Sequence, residues 1–300
     1  MINTEEMTMS ETSATLKYSE QYTQIYANFR ERFRAFYEDP ETGRMEPFQI
    51  FGNLYYVGDK KVCMHLIDTG DGLILIDCGY GQTTYMIEDS IRGLGFSPED
   101  LKWIIITHGH FDHFGSGNEL RRRYGCKIFM SRVDRDLILE RPDRALCHLG
   151  PDVNMLMCWP DEVIDDGDGL TLGNTTIHFR LAPGHTPGTL AYFLDVTDGK
   201  TVKRVGCWGG IGAFTVYKAH SRAFGLPEDM CDKYLQSARM LRQEHVDIHL
   251  GNHVNDNQVL AKRQLMLDEP GTNPFVAETA WQKFLDEREA FAIRFGENDD

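Results

Sequence analysis

The sequence predicts a layered α/β fold. Three observations carry the prediction: an apolar, strand-like run leads into a glycine-containing turn that bears histidine at residues 101–113, again at 176–188 and again at 246–253. Layered α/β folds gather ligands and catalytic groups at strand ends, because the strand is rigid while the loop leaves room for substrate.

Taken in order, residues 14–38 place Tyr18, Tyr22, Ile25, Tyr26, Phe29, Phe33 and Tyr37 at three- and four-residue steps, which predicts one amphipathic helix with a packing face. Residues 72–79 are an apolar run ending in Asp77-Cys78-Gly79. Residues 101–106 form a strand by bulk and β-branching, and Gly115-Ser116-Gly117 turns into a helix over 118–124. Residues 129–165, broken at Pro142 and at Trp159-Pro160, make a long excursion that shapes the pocket. Strands follow over 176–181 and 189–195, and helices over 258–267 and 277–295 close the chain.

Between these elements lies Thr107-His108-Gly109-His110-Phe111-Asp112-His113. His108 and His110, two residues apart on extended backbone, project to one side and can share one ion. Asp112 and His113 are offset and better placed for a neighbouring ion, so two metals are expected. The other two histidine turns are Ala182-Pro183-Gly184-His185-Thr186-Pro187-Gly188 and Gly251-Asn252-His253.

At these motifs the chain resembles the metallo-β-lactamase superfamily, and within it the B3 subclass of metallo-β-lactamases, over residues 48–291. The resemblance implies a four-layer αββα sandwich, and together with the helix read over 14–38 it divides the chain into an N-terminal helical extension over 1–44 and the sandwich over 45–300. It implies that His108, His110 and His185 hold one metal, and that Asp112, His113 and His253 hold a second. Asp77 matches the acidic position beneath the site, where it would orient a ligating imidazole. Cys207 falls near the place where B1 enzymes use a cysteine ligand, and is either an additional ligand or a small buried residue.

The implied activity is a metal-dependent hydrolase in which a metal-bound hydroxide, oriented by Asp112, attacks a small carbonyl substrate. Zinc comes first for an imidazole-rich ligand set, with iron and manganese also open. One departure bears on substrate. B3 enzymes place serines for the β-lactam carboxylate where this chain has Gly206-Cys207-Trp208-Gly209-Gly210-Ile211-Gly212, so little β-lactamase activity is expected. A lactone, thioester or amide is the alternative substrate, with Trp208 at the pocket wall and arginines of residues 132–144 holding any anion. A metal-redox role like that of flavodiiron relatives ranks below hydrolysis, since the bridging acid and flavodoxin domain are missing.

Composition agrees. A net charge of −15 disfavours nucleic acid as a partner, because repulsion opposes polyanion approach. No apolar run reaches bilayer length, the N-terminus does not read as a signal peptide, and the seven cysteines are odd in number and scattered. A cytoplasmic location without membrane association is therefore expected, with oligomeric state open.

Overall fold

The computed structural model describes residues 18–150 and 157–299. Two helices open it, α1 (Tyr18–Ala27) and α2 (Phe29–Glu38). The single helix expected over 14–38 is broken at Asn28, whose backbone leaves helical angles (φ −95°, ψ 1°), and residues 14–17 lie outside the described residues. Asparagine suits such a break because its side chain competes for backbone hydrogen bonds.

Strands β1 (Phe48–Phe51), β2 (Leu54–Tyr56), β3 (His65–Asp68) and β4 (Leu73–Ile76) form an antiparallel meander. Helix α3 (Thr84–Gly93) crosses to β5 (Leu101–Ile105), and α4 (Phe111–Phe114) with α5 (Gly117–Tyr124) crosses to β6 (Lys127–Ser131). Helix α6 (Arg132–Glu140) then leads to β7 (Glu162–Ile164). Strands β4 to β7 are parallel, completing a sheet whose spatial order follows the sequence, β1 to β7.

The second sheet holds β8 (Gly169–Leu172), β9 (Thr175–Leu181), β10 (Leu190–Thr197) and β11 (Val202–Trp208), all antiparallel. Helices α7 (Lys218–Phe224) and α8 (Met230–Leu241) return the chain to β12 (Ile248–Leu250), which pairs parallel to β11. Helices α9 (Val259–Asp268) and α10 (Ala280–Gly296) complete it.

The alternation of side chains along each strand fixes the layers. On β4, Ile74 and Ile76 enter the core between the sheets, while Leu73 and Leu75 pack in the core that holds Ile87 and Ile91 of α3. On β10, Tyr192, Leu194 and Val196 face inward, and Phe193 packs with Trp281 of α10. Both faces of both sheets are thus covered, the αββα arrangement, which is why strands such as Leu73–Ile76 read as unbroken apolar runs. Among the described residues no helix is long and apolar enough to cross a membrane.

Two buried histidines are expected to make the fold acid-sensitive. His65 on β3 and His249 on β12 lie among Tyr56, Trp281 and Phe284, and burial holds each down to about 3. Above the ordinary value of 6.5 both folded and unfolded chains leave them neutral, and stability is unaffected. Below 6.5 only the unfolded chain takes up the protons, so stability falls steadily toward pH 3. Urea midpoints of the chelated protein are expected to drop through this window, and His249→Leu to remove part of the slope; an unchanged slope would assign the acid sensitivity elsewhere.

Candidate metal centre

The parallel strands β4, β5 and β6 end at the same edge of the sandwich. Asp77 follows β4, Thr107 to His110 follow β5, and Asp112 with His113 sits on the four-residue turn α4 rather than on open loop. The second sheet brings His185 on the β9–β10 turn and His253 after β12 to the same edge. One potential donor atom from each of His108, His110 and His185 lies within 4.8 Å of the others, and the same holds for Asp112, His113 and His253. The two groups adjoin, with the His108 and His113 ring centroids 4.2 Å apart.

Hydrogen bonds fix which nitrogen each ring presents. His108 Nδ1 lies 2.6 Å from the Gly209 carbonyl, His185 Nδ1 2.9 Å from the Gly212 carbonyl and His253 Nδ1 3.1 Å from the Lys61 carbonyl. His113 Nδ1 lies 2.8 Å from Asp77 Oδ2. These oxygens only accept, so each Nδ1 carries the proton and each Nε2 is left with a bare lone pair. His108 Nε2 and His113 Nε2 are buried with no hydrogen-bond partner, a costly arrangement unless something else occupies the lone pair. His110 turns the other way, placing Nδ1 3.0 Å from His185 Nε2. Asp112 Oδ2 lies 3.5 Å from His113 Nε2 and 3.6 Å from His253 Nε2.

Burial, reinforced by mutual repulsion, pushes His108 and His110 well below their ordinary value, and burial holds His185 down to about 4. The first group is therefore three neutral donors. Burial also opposes charge on His113, but Asp112 and Asp77 outweigh it and lift the ring to about 9. The second group is thus built around carboxylate charge, and a cation there replaces a proton. The donor set fits a divalent transition metal in both places.

Asp77 lies beside the second donor group, in contact with His113 Nδ1. Besides orienting His113 it accepts from the Thr107 amide at 2.8 Å, and it adopts a left-handed backbone (φ 56°) rare for a residue other than glycine. The Gly209 carbonyl is a second hub, reached by His108 Nδ1, by Asn252 Nδ2 at 2.6 Å and by the Thr107 hydroxyl at 2.9 Å.

Sequence reasoning missed Asp134. Its buried carboxylate accepts from the Gly109 amide at 2.8 Å, the Thr186 hydroxyl at 2.7 Å and the Gly188 amide at 2.7 Å, tying the two main histidine turns together. Its signal is positional, since it shares the buried face of α6 with Ile138, four residues on. Removing it strands three donors, at ~1–3 kcal/mol for each buried group. Asp134→Ala is therefore expected to lower unfolding free energy by roughly 3 kcal/mol, and Asp134→Asn by less; a loss under ~1 kcal/mol in denaturant titrations would mean that water substitutes for the carboxylate.

Comparisons with known proteins agree with this geometry. The profile of the Metallo-beta-lactamase superfamily matches residues 58–199. BJP-1, a subclass B3 metallo-β-lactamase of Bradyrhizobium japonicum, is 30% identical and superposes with a TM-score of 0.71 over 86% of this chain and 96% of its own. The chain belongs to the metallo-β-lactamase superfamily. Native FEZ-1 from Legionella gormanii is 26% identical with a TM-score of 0.74, covering 86% of this chain and 97% of its own. Among curated relatives, the hydroxyacylglutathione hydrolase GloC of Haemophilus influenzae is 30% identical over 44% of this chain and 60% of its length. An uncharacterized protein of Mycobacterium leprae is matched over 56% of its length.

Within this superfamily frame, the structure places the remaining expectations. Cys207 lies in neither ligand group: it is buried on β11 opposite Tyr192, facing the core between the sheets, and burial pushes its thiol up well above the ordinary range. Trp208, one position on, points the other way. It is buried against Tyr234 of α8 with Nε1 donating to the Ala182 carbonyl, and is not a pocket wall. The glycines beside it have a steric reason, since a Cβ at Gly212 would come within 2.7 Å of His185 Cε1. The arginines of residues 132–144 do not reach the site either. Arg132 pairs with Asp165, Arg141 with Asp143 and Arg144 with Glu140, so acidic neighbours hold them in place.

The metal groups open into a cavity of about 600 Å3. His110, Asp112, His185 and His253 form part of its lining, Phe29 and Phe33 of α2 another, and Phe291 and Phe295 of α10 a third. Leu146 and Leu149 come from the long excursion, which does shape the pocket.

Proposed function

We propose that this metallo-hydrolase holds one divalent ion through His108, His110 and His185 and a second through Asp112, His113 and His253, and that it cleaves an ester, thioester or amide of a small carbonyl compound. The observation that carries the reading is the pair of buried, unpartnered Nε2 atoms on His108 and His113, each facing a cluster of further donors. Zinc is the proposed metal, as the ligand set is dominated by imidazole. Bound there, it would supply a water acidic enough to be deprotonated near neutral pH and a Lewis acid for the carbonyl.

The chain's own groups do the rest. Asp112, in the cavity lining, accepts a hydrogen bond from the attacking water and holds it toward the carbonyl. Asp77, the Gly209 carbonyl and Asp134 keep the rings and turns in register. The apolar walls exclude competing water and grip the body of the substrate. Residues 1–44 are proposed as a helical extension of the 45–300 sandwich, with α2 covering one side of the cavity. A cytoplasmic location is proposed from the seven cysteines, all of them free thiols.

A β-lactam is the second reading, favoured by the likeness to B3 enzymes. It is placed second because residues 209–212 offer no side-chain hydroxyl to a carboxylate beside the scissile ring. Each lost contact to a charged group is worth ~1.5–3 kcal/mol, about ten- to a hundredfold in rate or affinity. A hydrolase screen on zinc-loaded protein across thioesters, lactones, penicillins and carbapenems tests this. Turnover of an ester or thioester with weak β-lactam hydrolysis is expected; carbapenem efficiency within tenfold of a good resistance enzyme would promote the second reading.

A further inference from the structure

The chain carries 46 acidic and 31 basic residues, yet the cavity reverses that balance. Arg32, Lys60, Lys61, Arg288 and Arg294 line it, against Asp112, Asp256 and Glu287. Asp112 belongs to the proposed ligand set, so the free charge facing the cavity is positive.

Arg288 differs from the arginines around it. Arg239 and Arg242 of the adjoining α8 region are matched by Glu289 and Asp286 of α10. Arg288 makes no ion pair among the described residues, and its Nε is buried with no hydrogen-bond partner. The side chain is nevertheless held in place. Its guanidinium carbon lies 5.7 Å from the Phe284 ring centre, and its charge acts on the buried Tyr234 hydroxyl. That hydroxyl in turn donates to the Ile211 carbonyl at 3.3 Å, in the turn whose Gly212 carbonyl orients His185. A guanidinium keeps its charge at any physiological pH, and a buried donor without an acceptor is unfavourable. Because Arg288 lines the cavity, its charge is open to an anion arriving with the substrate, with the Asp256 carboxylate as the cavity acid already within its electrostatic reach. The planar fork suits a carboxylate, and Phe111, Phe214, Phe291, Leu146, Leu149 and Ile211 supply apolar wall for the rest of the molecule.

We propose that Arg288 anchors an anionic group of the substrate, so that the site selects an amphipathic acid: a hydrolysable carbonyl compound with an apolar body and a carboxylate. Arg288 then acts as a specificity-determining residue on α10, a wall distinct from the 209–212 turn where hydroxyl donors are missing. Which bond is cleaved rests on the hydrolase reading above; the anchor itself does not.

The test uses two probes of the same shape and different charge, 4-phenylbutanoate and 4-phenylbutanamide, titrated calorimetrically into the zinc-loaded full-length protein. Wild type is expected to bind the acid at least about tenfold more tightly than the amide, the scale of one charge-assisted contact. Arg288→Gln is expected to bring the two within about threefold, with Arg288→Lys in between and the outward-facing Arg141→Gln unchanged. Absence of a preference in wild type, or its full retention in R288Q, overturns the proposal. Should R288Q not fold, R288K decides, because the full wild-type preference in that variant would show that the guanidinium fork is not the anchor. Thioester hydrolysis is read separately: no turnover by wild type with the acid preference intact removes the hydrolase reading and supports the anchor.

Discussion

Asp112→Ala is expected to lower kcat/KM by about 10²–10⁴-fold on whichever ester or thioester the screen identifies, the range for losing a positioned proton-handling group. Much of the metal should stay bound. His108, His110 and His185 are untouched by the change, and their geometry depends on the Gly209 and Gly212 carbonyls rather than on Asp112. His185→Ala should behave oppositely, reducing metal content itself, because His185 Nε2 and His110 Nδ1 form one donor pair 3.0 Å apart. Steady-state kinetics paired with elemental analysis separates the two. Full activity in both variants would exclude this site as the seat of hydrolysis.

Chelation should produce the second large effect. The proposed assignment gives two ions per chain, and each would bind the folded chain alone, since both groups join residues far apart in sequence. At a free metal concentration about 1,000 times Kd, one such site stabilises by ~4 kcal/mol, and ~2–4 °C accompanies each kcal/mol in a chain approaching this size. Chelation is therefore expected to lower Tm by roughly 8–16 °C per ion lost. Mass spectrometry of reconstituted protein should find a ratio near two. A ratio near one would confine the site to a single ion, and a ratio well below one would overturn the ligand assignment.

The two donor groups that the structure brings together were legible in the sequence because their chemistry is carried by residue type and close spacing. His108, His110, Asp112 and His113 sit within six positions after an apolar strand, and His185 and His253 repeat the context. Asp134 was not legible, because an aspartate between two arginines in Arg132-Val133-Asp134-Arg135 reads as solvated helix surface, whereas the helix turns it under the Gly109 turn. The expectation for the arginines of residues 132–144 failed for a related reason. Each has an acidic neighbour in space, and Arg144 also donates to the Leu137, Phe224 and Gly225 carbonyls, so these guanidiniums are already matched away from the cavity. Trp208 failed by a single step of strand alternation, which sends a side chain to the opposite face. Arg288 could not be found in this way at all, since its place depends on how α10 docks on α8 and meets Tyr234.

The helices that precede the sandwich have a consequence for how the enzyme can change. Phe29, Arg32 and Phe33 shape the cavity, yet α1 and α2 supply none of the proposed metal-holding residues and are docked largely through rings, Tyr22 against Tyr217 and His220, and Phe36 against Tyr80. One wall of the cavity is therefore separable in sequence from the proposed metal-holding residues, while Arg288 and its neighbours on α10 form another. Drift or recombination confined to α2 can remodel that wall while the two donor groups are inherited intact, which makes this helix a natural place to diversify in a library aimed at new substrates.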